Sequence, residues 1–171
     1  MGLTLVTYHP AQDIYHCIFR QLLLLENLPG KKSALDRLRI LDFYLLFPSL
    51  LNEVRVPKSL VARRNKLADK PSSYEIIEDP YRLFAQLEGI QVSATRLLAS
   101  CELVSLDEVR KREIVRTLDE IPAKLASAIQ QGVEEKGELL VFLTGPFFNL
   151  DFYGPNGLKA RTGLMVHTYD Q

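Results

Sequence analysis

The sequence predicts a mainly α chain with a small C-terminal β element, and three observations carry that expectation. Apolar residues recur at spacings of three and four through most of residues 11–136, the period at which side chains share one helix face. Prolines, glycines and capping residues punctuate those runs at helix-like intervals. After Gly137 the character changes to a short continuous apolar run, 138–144, which ends at Gly145-Pro146 and leads into a loop containing Gly154-Pro-Asn-Gly157. That pattern reads as a strand followed by a loose hairpin.

A chain of 171 residues with 47% apolar content can bury roughly 70% of its unfolded surface in one core. A single domain over 1–171 is therefore expected, with a helical body at 11–136 and a hairpin-like part at 138–171. Lys+Arg and Asp+Glu number 21 each, so no global field draws the molecule to nucleic acid or to an anionic membrane. Any electrostatic recognition must be local. The densest apolar run, Leu22 to Leu25, is far too short to span a bilayer, and the N-terminus lacks a basic flank followed by an apolar run. A cytoplasmic location without membrane contact is expected. Cys17 and Cys101 show no metal-type spacing and are expected to be reduced, small core residues.

Residues 3–8 are rich in β-branched and aromatic types and suggest a short strand. Ile14, Cys17, Ile18, Leu22 and Leu25 then mark a helix over 11–28 that stops at Pro29-Gly30. Ser33 is expected to cap the next helix, on which Leu35, Leu38, Leu41 and Leu45 form a stripe. Ile40, Phe43, Tyr44, Leu46 and Phe47 widen that stripe until the last turns are apolar nearly all round, the signature of a helix buried on most sides. Asp42 interrupts this surface and is costly there unless paired; Arg39, three residues earlier, is its expected partner in a local ion pair at the rim of the core. Pro48 closes the run.

Between Arg55 and Lys70 the cations Arg55, Lys58, Arg63, Arg64, Lys66 and Lys70 face only Asp69, and Pro57 suits the first turn of a helix running to Ala68. A short strand is expected at 74–77. Asp79-Pro80 starts a helix expected to end at Gly89, and Ser93 caps a second one, which together have the outline of a helix-turn-helix. Ser105 and Glu108 form a capping box that opens a helix carrying Arg110, Lys111, Arg112 and Arg116. A helix over 120–136, with Pro122 near its start and Gly137 at its end, precedes the terminal hairpin. The helix-turn-helix and hairpin together make the chain winged-helix-like in part.

Reactive groups are sparse. His9 and His16 lack a zinc-type spacing and His167 stands alone. Gly145-Pro-Phe-Phe and Gly154-Pro-Asn-Gly157 are followed by neither Lys-Ser nor a helix, so they read as turns and not as phosphate loops. Glu134-Glu135 and Asp107-Glu108 fall on exposed helix faces or caps. No catalytic, cofactor or metal site is nominated, and an enzyme is not expected. The candidate contact site is Arg55, Lys58, Arg63, Arg64 and Lys66, a cluster that could neutralise several phosphates of a DNA backbone, or meet an acidic partner, with strong salt dependence. It holds no aromatic residue for base stacking and would not read sequence.

Four blocks carry a resemblance: Tyr8-His-Pro10, Asp13-Ile-Tyr-His-Cys-Ile-Phe-Arg20, Leu35-Asp-Arg-Leu-Arg-Ile-Leu-Asp-Phe-Tyr-Leu-Leu-Phe-Pro48, and Pro80-Tyr-Arg-Leu-Phe84 with Ile90-Gln-Val-Ser-Ala-Thr-Arg-Leu-Leu-Ala99. Over residues 5–120 the chain resembles the middle components of bacterial ABC-ATPase three-component systems, a class overlapping the Lamassu type of anti-phage and anti-plasmid defence. The resemblance implies a small non-enzymatic adaptor, winged-helix-like in part, standing between an SMC/Rad50-like ABC ATPase and an effector subunit, often a nuclease. The ATPase would sense foreign DNA and the middle component would couple that state to the effector. It implies no catalytic residues. The competing reading is a stand-alone winged-helix DNA-binding transcriptional regulator, but the expected recognition helix at 93–103 offers only Arg96 and Glu102, where a regulator needs clustered basic and amide side chains.

Overall fold

Seven α-helices and one two-stranded antiparallel sheet make up the residues that the computed structural model describes, 10–69 and 77–165. Helix α1 (Ile14–Asn27) begins where the Asp13 carboxylate accepts from the amides of Tyr15 and His16, at 2.8 and 3.2 Å. It buries Cys17 and all of Leu22–Leu25. A 3₁₀ turn at Pro29–Lys31 leads to strand β1 (Lys32–Ala34) and to α2 (Leu35–Leu46), whose residues Leu35 and Leu38 to Leu45 are all buried. Two further 3₁₀ turns, Pro48–Glu53 and Lys58–Leu60, precede α3 (Val61–Ala68). Then come α4 (Pro80–Ser100), α5 (Leu106–Arg110), strand β2 (Glu113–Val115), α6 (Ala123–Phe142), a wide turn at Leu143–Phe147, and α7 (Leu158–Thr162).

The apolar girth of α2 makes it the centre of the core. Phe43 meets Tyr44 and Phe84 edge to face, with ring centroids 5.4 and 5.6 Å apart, and Tyr44 meets Phe147 at 5.7 Å. Helix α1 packs against α2, α4 and α6, and α3 lies on the 48–53 turn. The approach of α6 to α1 needs Gly132, where a Cβ would stand 2.8 Å from the Phe19 ring and 3.2 Å from Leu23.

Several sequence expectations are corrected. Ser33 does not cap α2: it lies in β1 and its hydroxyl donates to the Ala34 carbonyl at 2.9 Å, while α2 starts from Ala34 without a side-chain cap. The Leu35 amide donates instead to the Arg112 carbonyl at 2.9 Å, so the sheet takes over the capping function. The helix expected to follow the capping box is short. Ser105 does accept from the Glu108 amide at 3.4 Å, but Arg112 turns left-handed (φ 61) and residues 113–115 pair with β1, Ser33 opposite Ile114. Ile114 is fully buried between exposed or half-buried neighbours, the alternation of a strand.

No helix-turn-helix forms at 80–103. Residues 80–100 are one unbroken helix, and the spacing of its buried residues Phe84, Leu87, Gln91, Ala94, Thr95 and Leu98 runs straight through Gly89. One glycine in a helix costs about 1 kcal/mol relative to alanine, less than packing on both sides of it returns. Gly89 is exposed and a Cβ there meets nothing within 4 Å. Gly89→Ala is therefore expected to raise stability by up to about 1 kcal/mol in urea denaturation.

The small sheet is not C-terminal, and the expected strand at 138–144 is helical. Gly137, with φ 44 and ψ −118, breaks α6 without ending it, a conformation that glycine adopts readily and other residues do not. Beyond that break Leu139, Leu140, Leu143 and Phe147 are buried while Val141 is 57% exposed, which is the face of a helix. The strands expected at 3–8 and, up to its last residue, at 74–77, and the end of the hairpin arm beyond Met165, lie outside the described residues, as do His9 and His167; the described part of the hairpin forms no strand, and the turn at Gly157 is followed by α7. Cys17 is buried as expected, and burial pushes its thiol up to about 12. Cys101 is exposed, because it sits at the C-cap of α4 and not on its packed face. Among the described residues, no helix is long and apolar enough to cross a membrane.

Candidate functional site

The chemistry of α2 turns inward. Asp42, 1% exposed, does not pair with Arg39 at the rim; its Oδ1 receives Arg20 Nε of α1 at 2.6 Å and its Oδ2 receives Gln91 Nε2 of α4 at 2.9 Å. Arg39 Nε donates to Gln91 Oε1 at 2.9 Å, and its guanidinium lies 4.4 Å from the Phe84 ring centroid with Asp36 and Glu88 at 3.6 and 3.7 Å. Gln21 Nε2 donates to the Gln91 carbonyl at 2.9 Å, and Thr95 Oγ1 stands 3.1 Å from Gln21 Oε1. Burial alone would pull the Arg20 guanidinium down, but the charge and hydrogen bond of Asp42 outweigh it and the group ends above its ordinary value. Burial holds Arg39 below its ordinary value, against the opposing carboxylates of Glu88 and Asp36. Among the described residues, every buried side-chain nitrogen and oxygen has a partner. Such a network fixes α1, α2 and α4 relative to one another and offers no unpaired group to a substrate.

The predicted cationic cluster is divided by the structure. Arg64 Nη1 donates to the Val54 carbonyl at 2.6 Å, and its Nε and Nη2 meet Asn65 Oδ1 at 3.0 and 2.7 Å. Lys66 pairs with Glu138 at 3.1 Å, and the Arg63 guanidinium lies 5.7 Å from the Phe142 ring centroid. These three fasten α3 to its surroundings. Arg55 and Lys58 are exposed. Arg55 is joined by a cation that the sequence placed 106 positions away: Arg161 of α7 donates from Nη1 to the Arg55 carbonyl at 2.9 Å, and the Arg55 amide donates to the Arg161 carbonyl at 3.4 Å. Only the fold brings that pair together, so no motif could have found it.

An open groove of about 720 Å³ lies between the start of α2, the start of β2 and the loop 148–153. At its floor Arg37 sits between Phe148 and Phe152, 5.1 and 5.4 Å from their ring centroids, and donates from Nη1 to the carbonyls of Phe148 and, at 2.7 Å, of Leu150. Burial lowers its pKa. Arg37 thus anchors the loop to α2. The lining balances Arg37, Lys111 and Arg112 against Asp36, Glu113 and Asp151, so the groove does not select a charged ligand of either sign. Among the described residues, no group of three or more His, Cys, Asp or Glu could hold a metal ion.

The family model described as ABC-three component (ABC-3C) system Middle Component 5 matches residues 6–170. The chain belongs to that family, and the match extends the resemblance carried by residues 5–120 through α6 and α7. No curated protein and no solved structure matches the chain.

Proposed function

We propose that this Middle Component 5 chain is a non-enzymatic adaptor that couples an SMC/Rad50-like ABC ATPase to an effector subunit, often a nuclease, in anti-phage or anti-plasmid defence of the Lamassu kind, acting in the cytoplasm. Membership of a three-component family over nearly its whole length carries this reading. The locked core supports it: α1, α2 and α4 are joined through buried charged side chains, which suits a part that transmits a geometric state between two partners. The regulator reading loses its support with the helix-turn-helix, since the residues assigned to it form one helix. Co-expression with the proposed ATPase and effector is expected to yield a complex that survives size exclusion, and deletion of this chain is expected to abolish defence in cells. A monomer that ignores both components and protects a specific operator sequence in footprinting rejects the adaptor.

The cations Arg55, Lys58, Arg63, Arg64 and Lys66 are the proposed contact to a DNA backbone or acidic surface within that complex. Charge reversal at Arg55 and Lys58 is expected to weaken DNA binding and flatten its salt dependence while leaving the melting curve unchanged. Arg64→Ala is expected to cost about 1 kcal/mol of stability as well, because the Val54 carbonyl loses its donor. Salt-titrated binding and urea denaturation of the same variants check both halves.

A further inference from the structure

The end of the molecule built from residues 102–120 carries an apolar side chain that the core does not use. Leu118 is fully exposed, at 102% of its reference area, and Leu106 is half exposed at 51%. Isolated exposed leucines are ordinary on protein surfaces; this one differs in how it is held. On its N-terminal side the Thr117 amide donates to the Leu103 carbonyl at 3.1 Å and the Thr117 hydroxyl donates to the Glu102 carbonyl. On its C-terminal side Arg116 Nη2 donates to the Asp119 carbonyl at 3.1 Å, and the Asp119 amide donates to Thr117 Oγ1 at 3.3 Å. Arg116 is itself pinned: Nη1 donates to the Leu103 carbonyl and Nε meets Glu26 at 2.6 Å. The backbone bearing Leu118 is ordered before any partner arrives, which removes much of the cost of ordering it on binding.

Within residues 102–120 carboxylates outnumber cations six to four. The cations of the same stretch are engaged: Arg110 with Asp107, Lys111 with Glu108, Arg112 with Asp36 and Arg116 with Glu26. Glu102, Asp119 and Glu120 are exposed and have no ion pair among the described residues. Glu102 also occupies the left-handed position (φ 62) that ends α4, with the Leu103 amide bonded to the Leu98 carbonyl and its own amide to the Ala99 carbonyl, both at 3.0 Å. Glycine is the residue such a helix end favours. A glutamate there accepts backbone strain, and its main-chain carbonyl is held by the Thr117 hydroxyl of the 117–119 turn.

We propose that Leu118, flanked by Glu102, Asp119 and Glu120, is a docking knob for a protein partner whose surface offers an apolar socket rimmed by lysine or arginine. Carboxylates in this position repel a nucleic-acid backbone, and complementary charge around a buried apolar anchor is the pattern of a specific protein interface. The inference rests on the adaptor reading, the partner being one of the other two components.

The test is the co-expressed complex, with its affinity measured for the wild type, Leu118→Ser and the double variant Asp119→Lys, Glu120→Lys at low and high salt. Leu118→Ser is expected to weaken association by roughly thirtyfold or more. The charge reversal is expected to slow association and abolish its salt dependence. All these side chains are exposed, so unchanged melting curves confirm that the variants fold. Variants that bind like the wild type overturn the knob and leave the adaptor standing; a wild type that forms no complex overturns both. A Leu118→Ser variant that changes the oligomeric state of the isolated chain assigns the knob to a second copy and overturns the assignment to another component.

Discussion

Asp42→Ala is expected to destabilise the protein by about 3–5 kcal/mol, a large part of the stability of a domain this size. The carboxylate is 1% exposed and answers two donors on two other helices, Arg20 at 2.6 Å and Gln91 at 2.9 Å. Its removal takes from the Arg20 guanidinium, 7% exposed, the carboxylate that it meets through both Nε and Nη2. It also frees one amide proton of Gln91, whose remaining bonds go to the Arg39 carbonyl and the Arg39 guanidinium. Two buried donors losing their shared acceptor, more than the lost attraction itself, set the size of the effect. That argument makes a second expectation: Arg20→Met combined with Asp42→Leu should recover most of the loss, since replacing both partners by apolar groups of similar volume is often near neutral. Urea denaturation of Arg20→Met, Asp42→Leu and the pair measures the coupling directly. A single Asp42→Ala variant within about 1 kcal/mol of the wild type shows that the network is not what holds α1, α2 and α4.

That network also marks where the sequence stopped being legible. The apolar surface of α2 and the interruption of it at Asp42 were visible, because helical periodicity is local and strong. The partner of Asp42 was not, because Arg39 is three residues away on the same helix while Arg20 is 22 positions distant on another. A signal was present: Gln21, Gln91 and Thr95 are polar residues lying on otherwise apolar helix faces, and such residues meet each other in the core. The helix break assigned to Gly89 gave glycine more weight than the unbroken spacing from Phe84 to Leu98. At 138–144 a run of seven mostly apolar residues fits a strand or a buried helix equally well by period, and only the packing of Leu139, Leu140 and Leu143 against the core decides. Surface features follow the same rule: the cations at 55–66 are close in sequence and are legible there as a group, but their division by the fold, Arg161 beside Arg55 and the pinned turn at Leu118 exist only once the chain is folded.

Gly157→Ala is expected to be the most damaging of the glycine substitutions, at about 3 kcal/mol, although the backbone there is extended and unstrained (φ −77, ψ 163). The reason is a close approach. The Leu158 amide donates to the Asp151 carbonyl at 2.7 Å and the Lys159 amide to the Phe152 carbonyl at 3.1 Å, which folds the 151–159 loop back on itself. An added Cβ would lie 2.6 Å from the Phe152 carbonyl carbon and closer still to the carbonyl oxygens of Phe152 and Tyr153. Backbone atoms cannot rotate aside as a side chain can, so the loop must open. Opening withdraws Leu158, which is fully buried, and burial of one leucine contributes about 2–3 kcal/mol. It also separates Arg161 from the Arg55 carbonyl. Gly154→Ala supplies the comparison: its φ of 84 disfavours alanine, but a Cβ there meets nothing within 4 Å, so a loss of only about 1 kcal/mol is expected. Thermal melts should rank Gly157→Ala well below Gly154→Ala, and limited proteolysis should show new cleavage between 151 and 161 in the former alone. If the two variants melt together, the close approach at Gly157 does not hold α7 in place.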